Sequence, residues 1–222
     1  NLLFKIDGFD NEFIYKCIKT ENYIPLPKEM TDLIKKVCKD FEENKNPQRI
    51  DIIIDRQMFK DLIVECENIR NDFLTKYVSI LIDVFNVRTL FRMKKLTIEK
   101  KLFDEVIVSG GNIPLSTLRT IFVEPKENII NRFSMTNMYK YVKDGLEDYV
   151  NNDELSILDK DLDDYLMEYL KNAKIISTGL APIIGYINAK ENEIKNIRII
   201  LVGKINNVDS DSIKRRLRKS YA

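Results

Sequence analysis

The chain has 222 residues, 44% hydrophobic and 32% charged, enough to bury one or two cores and unlike a disordered or membrane-embedded composition. Thirty-six basic residues balance 35 acidic ones, so the positive excess that displaces counterions from phosphates is missing, and no nucleic-acid partner is expected. Histidine is absent, which removes the commonest general base and the commonest metal ligand together; Cys17, Cys38 and Cys66 are odd in number, widely spaced and suited to a reducing compartment.

Only 7 Gly and 6 Pro interrupt the chain, and alternating strand patterns are scarce, so an all-α fold is expected. Phe9, Phe13, Ile14 and Cys17 have helical spacing and read as the tail of a preceding unit, followed by the connector Ile24-Pro25-Leu26-Pro27. Lys28 to about Glu43 carries a stripe of Leu33, Ile34, Val37, Cys38 and Phe41. Asp51 to Cys66 opens with a strand-like Ile52-Ile53-Ile54, but Met58, Phe59, Leu62, Ile63 and Cys66 favour a helix with Asp55 near its cap.

A long helix is expected from about Ile69 to Lys95, then a helix over Lys100 to Val108 ended by Gly110-Gly111, then a short helix through Ile121. Pro125 marks a domain boundary between 1–123 and 124–222. The second unit opens with a helix around Met135 to Val150, followed by an acidic helix from about Ser156 to Ala173 with Leu162, Leu166, Tyr169 and Leu170 inward. Leu180 to Lys204 is then a second long helix, roughly 37 Å at about 1.5 Å per residue. Leu180, Ile183, Ile184, Ile187, Ile194, Ile197 and Leu201 lay an apolar stripe along one side of it, and the helix reads as a strut. A short basic helix closes the chain.

The two long helices echo each other. Asn86-Val87-Arg88 and Asn196-Ile197-Arg198 stand 110 positions apart, and the same shift brings Asp83 onto Glu193, Leu90 onto Ile200 and Lys94 onto Lys204. Each segment leads into a turn and a short helix, read as Gly110 to Phe122 in the first and Asn206 to Arg218 in the second. On that reading Thr97 to Val108 is an insertion in the first copy. Internal repetition of this kind dictates architecture: two homologous multi-helix domains built around long helices.

Four motifs invite chemistry. Asp159-x-Asp161-x-Asp163 has alternating carboxylates, but Asp164 stands where a calcium loop needs glycine and Leu170 where it needs glutamate; an acidic first helical turn accounts for it, and no metal is expected. Val202-Gly203-Lys204 lacks the two glycines and the Ser or Thr of a phosphate loop, so no nucleotide is expected to bind directly. Lys214, Arg215, Arg216, Arg218 and Lys219 either complement the dipole of a short helix or dock an anionic surface. The repeated Asn86, Arg88, Asn196 and Arg198 either satisfy polar groups between helices or contact a partner. No cofactor and no catalysis are expected.

Glu193 to Arg198, Ile200 to Lys204, Ile213 to Arg218 and Tyr221 resemble the C-terminal signature of the C subunit of prokaryotic A/V-type ATPases, whose eukaryotic counterpart is the d subunit. Asp55, Asp83 to Arg88 and the Gly-Gly-x-Ile-Pro turn at Gly110 to Pro114 resemble that family's middle repeat. The resemblance covers roughly residues 50 to 222. It implies a non-catalytic funnel of three similar helical domains between the central stalk, made of the D and F subunits, and the membrane rotor ring. It also implies a peripheral position on the cytoplasmic face, with ATP turnover coupled to proton or sodium movement. Only two repeats are found, so this chain is expected to be the middle repeat, preceded by the tail of a missing N-terminal repeat, and the C-terminal repeat. The alternative is a cytosolic helical-repeat adaptor that binds protein partners in a groove.

Overall fold

A computed structural model of the protein describes residues 11–221; Phe9, the first position of the helical spacing read near the start of the chain, lies outside them. Among the described residues there is no strand, and the order is α1 (Asn11–Thr20), α2 (Lys28–Asn44), α3 (Gln48–Ile69), α4 (Asp72–Lys95), α5 (Lys100–Val106), α6 (Leu115–Val123), α7 (Lys126–Phe133), α8 (Tyr139–Asn152), α9 (Ser156–Leu170), a 3-10 turn (Lys171–Ile175), α10 (Leu180–Ile205) and α11 (Ser210–Arg216). The all-α expectation is met. No helix among these residues is long and apolar enough to cross a membrane.

The residues form two compact units, one ending at Met58 and one beginning at Phe59. In the first, Pro27 precedes α2, where a residue without an N–H costs nothing, and Lys45 ends it in the left-handed conformation (φ 50°) with its N–H bonded to the Phe41 carbonyl. Arg49 then grips both oxygens of Asp40 at 2.7 and 2.8 Å, and that bond holds the Asp40 carboxyl below its usual range. The α2 stripe is only half-buried. Asp55 is not near a cap: α3 starts at Gln48, seven residues earlier, because Pro47 and the Asn46 side chain begin the turn.

The second unit is organised on α4, which buries side chains on every side, among them Ile80, Val84, Val87, Leu90, Phe91 and Met93. Asn71 caps it by accepting the Leu74 N–H at 2.9 Å. Around α4 pack α5, α6, α9 and α10, and the core continues through Ile129, Phe133, Val142, Leu146 and Tyr149. Phe91 meets the edge of Tyr149 at 5.1 Å and Phe103 stacks on Phe122 at 4.2 Å. Each large side chain so buried contributes about 1.5–3 kcal/mol against leaving it in water. The core runs across Pro125, and the compact units divide between Met58 and Phe59.

One expectation is corrected here, and the direction of one apolar stripe is decided. The second half does not open with one helix: α7 and α8 are separate, and Pro125 starts α7 because its fixed φ of −62° suits a helix entry. The apolar stripe of α10 does not face the core. Ile183, Ile187, Ile194, Ile197 and Leu201 are each about half exposed, and the buried positions are Ala181, Gly185, Ala189, Asn192 and Gly203. Small residues let α10 approach α9 and the 3-10 turn closely, and the bulky aliphatic side is turned outward.

Helices α8 and α9 cross tightly at Gly145, where a Cβ would lie 2.4 Å from the Leu158 Cα. Backbone cannot move aside as a side-chain tip can. Gly145→Ala is therefore expected to cost about 1–3 kcal/mol of stability, read by urea unfolding; an unchanged midpoint would contradict this packing. At the same crossing the Gly145 N–H donates to Asp161 Oδ2 at 2.9 Å, and burial lifts the Asp161 carboxyl to about 6, opposed by that bond and by Lys160. A carboxyl raised on folding binds its proton more tightly in the native state, so its contribution to stability is present below about pH 4 and lost as pH rises through about 6. Asp161→Asn, which keeps the acceptor oxygen and cannot ionise, is expected to be more stable than wild type by on the order of 2 kcal/mol at pH 7, with the gap closing near pH 4. Thermal melts of both proteins across that range check it.

Candidate functional site: asparagine clasps and an ionic junction

Asn86 lies in the middle of α4 with no exposure at all. Its Nδ2 donates to the Val108 carbonyl at 2.7 Å and its Oδ1 accepts the Val108 N–H at 2.8 Å. One side-chain amide thereby replaces a strand partner for a single residue. The pairing also defines which end of the amide is which, since an N–H must meet an acceptor and a carbonyl a donor. Asn196 does the same on α10: Nδ2 donates to the Arg218 carbonyl at 3.1 Å and Oδ1 accepts the Arg218 N–H at 2.9 Å. Each asparagine clasps the residue 22 positions later.

The segments between asparagine and clasped residue are built alike. Helices α4 and α10 end in turns with Thr97 and Asn207 both at φ 54°; Ile98 and Val208 bond back to the carbonyls of Met93 and Gly203 at 3.0 and 2.9 Å. Glu99 and Asp209 precede α5 and α11, which are seven residues each, and extended Ile107 and Leu217 follow them. All these pairs stand 110 positions apart. The expectation that Thr97 to Val108 is an insertion without a counterpart is thus corrected: its counterpart in construction is Asn207 to Arg218, and Gly110 to Phe122 follows as a further element. The conspicuous glycine turn draws the sequence pairing to the wrong place. The signal that finds the right one is the constant shift carried past the helix end.

The chains leaving the two clasps differ. After Val108, Gly110 takes φ 105°, and a side chain on Gly111 would strike Asp83 Oδ1 at 2.2 Å. Asp83 is buried on α4 and accepts the backbone N–H groups of Asn112 (3.0 Å) and Ile113 (2.9 Å) and the Asn112 side chain (2.8 Å). Burial raises its carboxyl, and these three donors offset part of that. After Arg218, Lys219 is held instead by Asp164, which accepts its N–H at 2.6 Å, and by Asn192, which donates to its carbonyl at 2.6 Å.

Between α4, α9 and the chain end lies an ionic junction. Arg88 Nε reaches Asp159 at 2.9 Å and its Nη2 reaches Asp163 at 3.0 Å; Arg92 joins Asp159 at 2.9 Å. Arg218 Nε and Lys195 join Asp163 at 3.0 and 3.3 Å. Burial alone would raise the Asp163 carboxyl, but Arg88, Lys195 and Arg218 together bring it below its ordinary value. The three carboxylates of the acidic motif do not converge: Asp159 and Asp163 face the arginines, and Asp161 faces Gly145.

The polar positions read from sequence therefore divide. Asn86, Arg88 and Asn196 tie neighbouring segments together, whereas Arg198 is exposed. In the basic cluster, Arg218 is engaged with Asp163 and Lys219 through its backbone; Lys214 pairs with Asp211 at 3.1 Å across one helical turn; Arg215 and Arg216 are exposed. Sequence reasoning misses Asp163, Asp164 and Asn192 as structural anchors, because an acidic helix and a polar residue within a helix look solvated in sequence.

An all-helical chain whose buried amides and carboxylates serve backbone groups and arginines, and whose long helices carry the rest, is built as a structural part. The chain belongs to the ATP synthase (C/AC39) subunit family, which matches residues 1–216 and is a structural, non-catalytic component of that complex. It is similar to the C subunit of the V-type sodium ATPase of Enterococcus hirae, 29% identical over 97% of this chain and 65% of the relative. It is also similar to the C subunit of the A-type ATP synthase of Methanosphaera stadtmanae, 23% identical over 83% of this chain and 50% of the relative. The corresponding protein of Methanobrevibacter smithii is 30% identical over 59% of this chain and 35% of the relative. The chain thus spans less than two thirds of these relatives. No solved structure matches it.

The two clasps differ in burial, and so in what their loss costs. Asn86→Ala strands a donor and an acceptor in the core and is expected to lose about 2–4 kcal/mol, whereas around Asn196 water replaces the amide and Asn196→Ala is expected to lose about 1 kcal/mol or less. Chemical denaturation of the two variants checks this; equal losses would show that burial does not set the cost.

Proposed function

We propose that this chain is a non-catalytic central-rotor component of a V/A-type rotary ATPase, joining the central stalk of D and F subunits to the membrane rotor ring as a peripheral part on the cytoplasmic face. In that role it transmits torque, so that ATP hydrolysis or synthesis is coupled to proton or sodium transport. Family membership supports the complex. The observation that carries the reading to a docking role is α10, whose row of half-exposed Ile183, Ile187, Ile194, Ile197 and Leu201 runs along one side of the helix, an apolar surface of the kind that marks an interaction site.

Two modules of one design, 1–123 and 124–222, fit the same role. Their support is the constant 110-residue shift linking Asn86 with Asn196, Thr97 with Asn207, and α5 with α11. In each module a long helix is pinned to the segment that returns from its end. A load applied to such a helix is carried by packed side chains and amide bonds, not by a loop.

Pull-downs of the protein with the D and F subunits, and with detergent-solubilised ring, test the assignment. Capture of at least one is expected, weakened by Ile187→Lys with Ile194→Lys, two exposed positions whose substitution leaves the fold intact. Failure to capture either would overturn it.

A further inference from the structure

A cleft of about 440 Å³ opens at the C-terminal end of α10, against α11 and the chain that follows it. Its apolar side is made by Ile199, Val202 and Val208 over the buried Ile213. Arg198 and Arg216 stand on its rim with their side chains exposed, and among the described residues neither has a carboxylate partner. Both arginines arise from segments fixed by other bonds. Arg198 lies two residues beyond the Asn196 clasp, and the Arg216 carbonyl accepts from Arg218 Nη1 at 2.9 Å.

The surrounding charge is unbalanced. Asp159, the one carboxylate lining the cleft, is already shared by Arg88 and Arg92. Asp163 next to it answers to Arg88, Lys195 and Arg218. Asp209 is spent on the N–H groups of Asp211 and Ser212, and Asp211 pairs with Lys214. Four cations thus surround two carboxylates before Arg198 and Arg216 are counted, in a chain whose net charge is only +1. The positive field is local and is focused on a concave, partly apolar surface.

We infer that this cleft is a docking site for an acidic, amphipathic segment of a partner protein: carboxylates of the segment pair with Arg198 and Arg216, and an aliphatic or aromatic side chain settles on Ile199, Val202 and Val208. Guanidinium groups suit carboxylates because two parallel N–H donors match two oxygens. The apolar side has nothing to offer a bare phosphate, and a concave cleft does not meet a flat bilayer. The inference rests on this charge and shape alone and stands whether or not the chain works in a rotary ATPase.

The test uses the whole chain and three probes: a fluorescein-labelled helical peptide with Glu and Leu faces, the same peptide with Ser for Leu, and vesicles containing phosphatidylglycerol. The Glu/Leu peptide is expected to bind. Affinity is expected to fall about tenfold or more in Arg198→Glu with Arg216→Glu, severalfold in Val202→Ser, and not at all in Lys101→Glu, which alters an exposed cation on α5. The Glu/Ser peptide is expected to bind about tenfold more weakly than the Glu/Leu one. All the substituted side chains are exposed, so circular dichroism is expected to be unchanged. No binding of the Glu/Leu peptide, equal binding by the arginine variant, or arginine-dependent binding of vesicles in place of the peptide would overturn the inference.

Discussion

The amide of Asn86 is the bond on which the second compact unit depends. It is buried with no access to water, and it is the partner of both backbone groups of Val108. Removing water from a backbone N–H and C=O costs free energy that only a hydrogen bond recovers, so the segment returning from α5 has one place to lie against α4. That position brings Gly111 onto Asp83, and Asp83 gathers the start of the Asn112-Ile113 turn. A hydrophobic core packs segments; a reciprocal amide decides their register.

At α10 the same device works under different conditions. The clasp on Arg218 is partly open to water, and additional bonds accumulate around it: Asp163 to the Arg218 guanidinium, Asp164 to the Lys219 N–H, Asn192 to the Lys219 carbonyl. The buried clasp is followed, four residues beyond Val108, by the bonds of Asp83 to Asn112 and Ile113, whereas the exposed one has carboxylates on the clasped residue and its neighbour. The ionic junction through Asp159 and Asp163 then links α9 both to α4 and to the chain end. Elements far apart in sequence are joined through packing and polar bonds between their own side chains, which is what a member of a structural subunit family requires.

Legibility from sequence varies with how local the cause is. Apart from α7, the helices of the second half of the chain declare themselves through 3.6-residue spacing and the scarcity of glycine. Asn86 and Asn196 stand out as polar interruptions in apolar runs, and their 110-residue relationship is visible. The counterpart of Asn207 to Arg218 is easily misplaced, because a Gly-Gly turn is more conspicuous than a threonine at positive φ. The outward direction of the row on α10 is not legible in sequence, because periodicity reports that a helix has an apolar face and not which neighbour that face meets. Arg88 and Arg198 occupy the same place in their motifs, yet one is locked to two aspartates and the other stands on the rim of a cleft.

What the amino-acid order determined by itself was the helical class, most helix limits, the pair of long helices and the repeated asparagines, since propensity, spacing and capping act within a few residues of the chain. The tertiary structure alone decided which face of α10 is covered, which carbonyl each asparagine serves, and which cations are consumed by carboxylates. Those outcomes depend on distances between residues such as Asn86 and Val108, 22 positions apart, or Tyr77 and Asn188, 111 apart, and such distances exist only once the helices have packed.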